Sequence, residues 1–399
     1  MRHCMANAVQ AALDGRLRFH FLQVAPKGCF RCHFLVPSGR SRLLLIGAMK
    51  WLEQGDGLVK RAAPFLARFG VEHLSDAIPL PGTGPNVVFR LRDGARDWVL
   101  KCYRPAASKS SDSFRAERAF YTLLWERGIK QIPQPLGWDE QLRMGLFEFV
   151  NGRQLAAGEI NLQQISEAVG LIAAINRLRL HAAGRGLPRA SDACFSLSAH
   201  FEWMAGRLRR LQKMEAKSDA DRQAAQFVAD ELEPSWQIVQ QILFERCNKA
   251  GISPEQKLPL ADLCLSPGDL GFHNAILEES GRVRFYDFED AGWDDPARVI
   301  CDFFVQPFRP APLQFWNAFA GGVARTLGQG TTLLERAGLL WPVCRIRWCC
   351  VLLEQFVSGI WQQQVGTGDI EAQKQQQLFK ARACLKALAD EGCNPPSGP

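Results

Sequence analysis

Apolar residues along this chain fall into short alternating runs first and long helical runs afterwards, and that change of period sets the layout. Between Asn86 and Arg92, Val87, Phe89 and Leu91 fall on one face and Val88, Arg90 and Arg92 on the other, the alternation of a strand. Asp93-Gly94 is a turn pair, and Trp98–Tyr103 repeats the strand pattern, so the segment predicts a β-hairpin. A helix should follow, with Ser111 or Asp112 as N-cap and Gly128 as its stop. Met144–Val150 predicts a buried strand closed by Asn151-Gly152. From 160 to 250 the period turns helical, in runs such as Ile165–Leu180 and Ala224–Leu243. A second hairpin is predicted near Ala275–Tyr286, and helices resume from Pro312 to Leu388.

The two ends are less legible. Residues 1–70 carry one short helical stretch and two apolar patches, Phe19–Val24 and Leu43–Trp51, without a clear period. Residues 391–399, rich in Pro, Gly and Asn, should fray. The pattern therefore predicts an α+β chain: an N-terminal extension over 1–70, a small β-rich lobe over 71–150, and a larger helical lobe over 151–390.

Composition narrows the function classes. With 47% hydrophobic and 22% charged residues over 399 positions, the chain is ordinary globular material and not a disordered one. No stretch reaches the roughly 18 apolar residues of a membrane span; Leu43–Met49 is short, and 337–361 is broken by Arg345, Arg347 and Glu354. A net charge of +7 without a basic run argues against nucleic acid as partner. The 13 cysteines lie inside apolar segments as often as in loops, and the opening MRHCMANAVQ has no apolar signal core. Both features predict a reduced, cytoplasmic protein. Cys29-Phe-Arg-Cys32-His33 spells a haem-attachment pattern, yet such attachment goes with export. A zinc site there would need further ligands, and Cys4, His3 and His20 are irregularly spaced. The run reads as coincidence in a cysteine-rich chain.

Candidate chemistry concentrates in Ser266-Pro-Gly-Asp-Leu-Gly-Phe-His-Asn274 and Phe285-Tyr-Asp-Phe-Glu-Asp-Ala-Gly292. If Ala275–Leu277 and Val283–Tyr286 pair antiparallel about Glu279-Ser280-Gly281, Asn274 and Asp287 meet at the open end of the hairpin. An amide oxygen and a carboxylate at one point make a hard oxygen site suited to Mg²⁺. Asp269, upstream on the loop, can face the same place as a base. Lys101 lies within an otherwise apolar strand and needs an anionic partner. Glu117 lies on an apolar helical stripe with Phe114, Tyr121 and Leu124, and each of the two explains the other. His273 reads as a loop residue in preference to a ligand, and Glu289 and Asp290 as either solvated or in contact with substrate.

The spacing Asp269-x4-Asn274 with a later Tyr286-Asp287 resembles the catalytic loop and metal-binding Asp of eukaryotic-like kinases. Its form is that of the aminoglycoside phosphotransferase and choline kinase superfamily, usually His-Gly-Asp-Leu-x-x-x-Asn. Gly268, Asp269, Leu270 and Asn274 match, Pro267 replaces the loop-supporting His, and Gly292-Trp-Asp-Asp-Pro296 stands where a Gly-Asp-Pro motif is usual. The resemblance spans about residues 75 to 305 and implies a two-lobed protein-kinase-like fold that moves the γ-phosphoryl of ATP to a hydroxyl with Mg²⁺. It implies Asp269 as catalytic base, Asn274 and Asp287 as metal ligands, and Lys101, fixed by Glu117, on the phosphates. It further implies that Gly82, Gly84 and Asn86 cover the phosphates and that backbone at Glu148 and Val150 meets adenine. The 155–260 insert, where the acceptor would sit, mixes Arg207, Arg209, Arg210, Lys213 and Lys217 with Glu202, Glu215 and Asp219. That mixture suits a sugar, polyol or amino alcohol better than a polycationic aminoglycoside. The competing reading is a catalytically silent module of the same fold that binds nucleotide or a partner.

Overall fold

The computed structural model describes residues 57–80, 86–94, 96–105, 112–179, 182, 186–357 and 370–396. Gly82, Gly84 and the Cys29–His33 run lie outside the described residues.

A helix over 57–67 (α1) precedes β1 (Leu74–Pro79), β2 (Val87–Asp93) and β3 (Arg96–Cys102). Helix α2 (Ser113–Glu126), β4 (Pro135–Asp139) and β5 (Met144–Glu148) complete the small lobe. The strands form one antiparallel sheet in the order β1-β2-β3-β5-β4. The expected hairpin is β2–β3, with Phe89 opposite Leu100 and Val88 opposite Lys101. Helix α2 begins at the expected cap, Asp112, whose carboxylate accepts from Arg115 N.

Pairing sorts the side chains into two faces. Phe89, Leu91, Leu100 and Cys102 pack with Ala62, Phe65, Leu66 and Val71, so α1 and the turn after it cover one face of the sheet. Residues just upstream of 71 thus share the small lobe's core. Lys101 and Val99 look out of the opposite face, towards α2. β1 and β4 were not expected from the pattern. Both are edge strands with a Pro, and none of their residues is fully buried, so neither shows a clean alternation.

The larger lobe contains α3 (Leu162–Asn176), α4 (Leu197–Leu211), α5 (Asp219–Phe227) and α6 (Glu233–Ala250). Three short strands, β6 (Cys264–Ser266), β7 (Ala275–Leu277) and β8 (Val283–Phe285), follow, then β9 (Gly292–Asp294). Helices α7 (Pro296–Val305), α8 (Trp316–Leu327), α9 (Gly330–Val357) and α10 (Ile370–Glu391) close the lobe. Helix α9 is buried on most sides, with Trp341, Cys344, Ile346, Cys349 and Leu353 in the core. Its Arg347 is paired with Asp302 at 3.2 Å and its Arg345 with Glu391, as buried charge requires. No helix among the described residues is long and apolar enough to cross a membrane. The ten described cysteines are free thiols.

Two ladders frame the candidate loop. β6 pairs with β9, setting Ser266 opposite Gly292, and β7 pairs with β8, setting Ala275 opposite Phe285. Tyr286 N donates to Asn274 O at 3.0 Å, so the second hairpin has the expected register. Residues 267–274 and 286–291 are therefore clamped side by side.

If α1 belongs to the small lobe, Phe65→Ala should cost about 3–5 kcal/mol of stability. Denaturant titration followed by tryptophan fluorescence would read this as a lowered midpoint; an unchanged midpoint would show the helix to be dispensable.

Candidate active site

Lys101 stands on the second strand of the first hairpin, and its ammonium reaches three carboxylates. Glu117 Oε2 is 2.7 Å away, Asp287 Oδ1 2.5 Å and Glu289 Oε2 2.8 Å. Burial presses the ammonium towards neutrality, but the carboxylates of Asp287, Glu117 and Glu289 outweigh it and hold its pKa well above that of ordinary lysine. Glu117, 1% exposed, uses both oxygens. Oε2 accepts from Lys101 and from the Tyr103 hydroxyl at 2.7 Å, and Oε1 accepts from Phe288 N at 2.9 Å. One carboxylate thus ties α2 to β3 and to the segment after β8.

Burial pushes the Glu117 carboxyl up to about 7, with Lys101 opposing and Asp287 and Glu289 adding repulsion. Glu289 is raised mainly by burial as well. Asp290 is pushed up to about 6, mostly by burial, with the nearby charges of Asp269 and Asp287 adding to it. Burial leads each of these shifts, and the repulsion of neighbouring carboxylates adds to it.

Glu289 was not expected here. Besides Lys101 it accepts from Asn86 Nδ2 at 2.5 Å, while Asn86 Oδ1 accepts from Arg104 N at 3.0 Å. Phe288, between Asp287 and Glu289, is 1% exposed, and nothing in the spacing of this segment pairs Glu289 with Lys101. Oxygens of Glu117, Asp287 and Glu289 all lie within 4.8 Å of one another, a hard donor set that could hold a divalent cation.

The hairpin register sets Asn274 opposite Tyr286, the residue before Asp287. Asn274 Nδ2 donates to Asp269 O at 3.1 Å, and its Oδ1 has no partner among the described residues. Asp269 Oδ2 is 3.0 Å from His273 Nε2, so His273 is not a bystander in the loop. The loop turns tightly at Gly268, where φ is +89° and a Cβ would lie 2.4 Å from the Asp290 carbonyl carbon. Only glycine suits that place. Asp302 is structural: it accepts from Trp348 Nε1 at 3.0 Å and pairs with Arg347.

Glu148 ends β5, and Val150, two residues beyond the strand, is 7% exposed. The Glu148 carboxylate accepts from Gln134 N at 2.9 Å and pairs with Arg284 of β8, linking this connector to the second hairpin.

Comparison with known proteins gives one family and one fold. The sequence model of the phosphotransferase enzyme family matches residues 76–339. No curated protein matches the chain in sequence. Among solved structures, a spectinomycin phosphotransferase in complex with ADP and spectinomycin is 10% identical, with a TM-score of 0.53 over 83% of this chain and 98% of that one. Amicoumacin kinase hAmiN, with AMP-PNP, Ca²⁺ and its ligand Ami, is 15% identical, with a TM-score of 0.52 over 85% and 94%. Choline kinase LicA from Streptococcus pneumoniae is 12% identical, with a TM-score of 0.50 over 84% and 99%. At such identities the likeness to these structures is one of fold.

The raised carboxyls have a consequence for stability. An unfolded glutamate titrates near pH 4.3, about, whereas folded Glu117 holds its proton up to about 7. Between those values the folded form binds the extra proton, so this group's contribution to stability is lost as pH rises from about 4 to about 7. Burial lowers His200, which gives the opposite slope; comparison with a variant cancels it. In nucleotide-free protein, Glu117→Gln should flatten the fall in Tm between about pH 5 and about pH 7. Equal slopes in the two proteins would contradict a raised Glu117.

Proposed function

The chain belongs to the phosphotransferase enzyme family and is a small-molecule kinase that uses ATP and a divalent metal; from that premise we propose a role for each residue of the site. The convergence of Lys101, Glu117, Asp287 and Glu289 from three separate elements beside the Asp269 loop carries the reading. Phosphoryl transfer asks mainly for positioning and charge neutralisation. Lys101, aimed by Glu117, neutralises the α- and β-phosphates. Asn86 and the residues before it, including Gly82 and Gly84, cover the phosphates. Backbone at Glu148 and Val150 meets the adenine edge.

Asn274 and Asp287 hold Mg²⁺, with Glu289 at hand as a further oxygen donor. The metal supplies neutralisation of the charge on the transferred group. Asp269 accepts the proton of the acceptor hydroxyl on Oδ1, the oxygen that has no partner among the described residues. Asn274 braces the loop from behind through the Asp269 carbonyl.

Acceptor chemistry follows from the charges across the loop. Asp290 feels both Asp269 and Asp192. Asp192 is already paired with Arg207 at 3.2 Å and Arg347 at 3.6 Å, and both guanidinium groups lie over Trp203 at 4.7 and 4.9 Å. Asp192, so neutralised, leaves little on the insert's side of the site for several ammonium groups. We therefore assign a sugar, polyol or amino alcohol as acceptor in preference to a polycationic aminoglycoside. A cytoplasmic setting, where ATP and free thiols coexist, suits the buried cysteines.

ADP release with Mg-ATP across sugars, polyols, amino alcohols and aminoglycosides tests the assignment. Asp269→Asn should lower acceptor-dependent release by about a hundred- to ten-thousandfold while Mg-ATP still raises the melting temperature. Turnover retained by that variant would overturn the role of Asp269.

A further inference from the structure

We infer that His273 is a positioning residue for Asp269: its Nε2–H holds Oδ2 of that carboxylate and so presents Oδ1 to the acceptor hydroxyl. The inference rests on the assignment of Asp269 as base. A carboxylate is free to rotate about its last bond unless one oxygen is held, and a base must point at the proton it takes. Oδ2 is the held oxygen, 3.0 Å from His273 Nε2 and 3.4 Å from Asn274 Nδ2.

The imidazole is seated on several sides. Its ring lies over Gly271, where a Cβ would stand 2.5 Å from both Cε1 and Nδ1, so any larger residue at 271 would displace it. Phe308 packs against it with ring centroids 5.4 Å apart. The His273 carbonyl accepts from the Tyr286 hydroxyl at 3.1 Å, and the next residue accepts from Tyr286 N. Pro267, with neither a backbone N–H nor a polar side chain, can donate nothing to the loop. Hydrogen bonds to Asp269 come from within the loop itself, from His273 and Asn274.

The protonation pattern follows from what surrounds the ring. A carboxylate only accepts, so the contact with Asp269 places hydrogen on Nε2. In the neutral ring Nδ1 is then an acceptor, and it is buried without a partner. Gln306 Nε2, a donor, is also buried without a partner. It stands 3.3 Å from the same missing Cβ of Gly271. Gln306 cannot turn this donor away, because its Oε1 accepts from Phe308 N at 2.8 Å and Arg309 N at 2.9 Å. A donor offered to Nδ1 through one bridging water would select the Nε2–H form, since the bond made by one ring nitrogen sets the state of the other.

Two variants of the full chain test this. His273→Leu fills the seat without a donor, and His273→Gln restores a donor without the ring. Basal Mg-ATP hydrolysis serves as the assay, with water as acceptor. His273→Leu should lower kcat by about ten- to a hundredfold, as a misplaced reacting group does, with KM for ATP changed by less than about twofold. His273→Gln should recover most of the rate. In an Asp269→Asn background, His273→Leu should have no further effect, because the two act as one unit. A ¹⁵N–¹H spectrum of the histidine side chains should show a hydrogen-bonded Nε2–H signal that His273→Leu removes and Asp269→Asn shifts.

Wild-type kcat in His273→Leu, with Asp269→Asn inactive, would overturn the inference. So would an Nδ1–H form in the spectrum, which decides the matter even if basal hydrolysis is too slow to follow. Wild-type turnover in Asp269→Asn is a different failure, that of the base itself.

Discussion

One buried ammonium governs this structure. Lys101 is 7% exposed and is surrounded by Glu117, Asp287 and Glu289. Burying one cation is costly without a partner, and gathering three carboxylates around it, Glu117 buried and Asp287 and Glu289 partly exposed, is costly with only one. The cluster therefore binds its neighbours together while remaining short of positive charge. Glu117 fixes α2 against β3 and reaches Phe288 N; Glu289 reaches Asn86 at the edge of the predicted phosphate cover. A shift in any one of these elements would leave a buried charge unmatched. The same deficit of positive charge is what a divalent cation bound with nucleotide would relieve.

Backbone geometry supplies the second constraint. The ladders β6–β9 and β7–β8 enclose Asp269, Asn274 and Asp287 within two adjacent segments. Gly268 permits their close approach, and Asn274 fastens the loop to its own beginning. The chemistry needs three oxygen-bearing groups at fixed spacing, and short paired strands hold that spacing better than a free loop would.

Sequence made the core of this arrangement legible where local pattern and chemistry agreed. Alternation fixed the β2–β3 pairing, which put Lys101 on the face opposite Phe89 and Leu100. A lone lysine in an apolar strand and a lone glutamate on an apolar helical stripe identified each other. Hairpin register brought Asn274 opposite Tyr286, the residue before Asp287, without reference to the rest of the chain. What escaped notice had no such local signature. Edge strands β1 and β4 contain proline and lack a buried face. The core residues of α1 have meaning only against a sheet whose partners come from 89 to 146. Glu289 and His273 sit next to residues already assigned, and their roles depend on contacts with Asn86, Lys101 and Asp269 that spacing alone does not reveal.

The electrostatic account is tested most directly by calorimetric titration of ATP into the protein, with and without Mg²⁺. Three carboxylates around one lysine should repel the free nucleotide, so binding should strengthen by about tenfold or more when the metal is present. Equal affinity in the presence of a chelator would contradict the account, because the carboxylate cluster would then have no need of the cation.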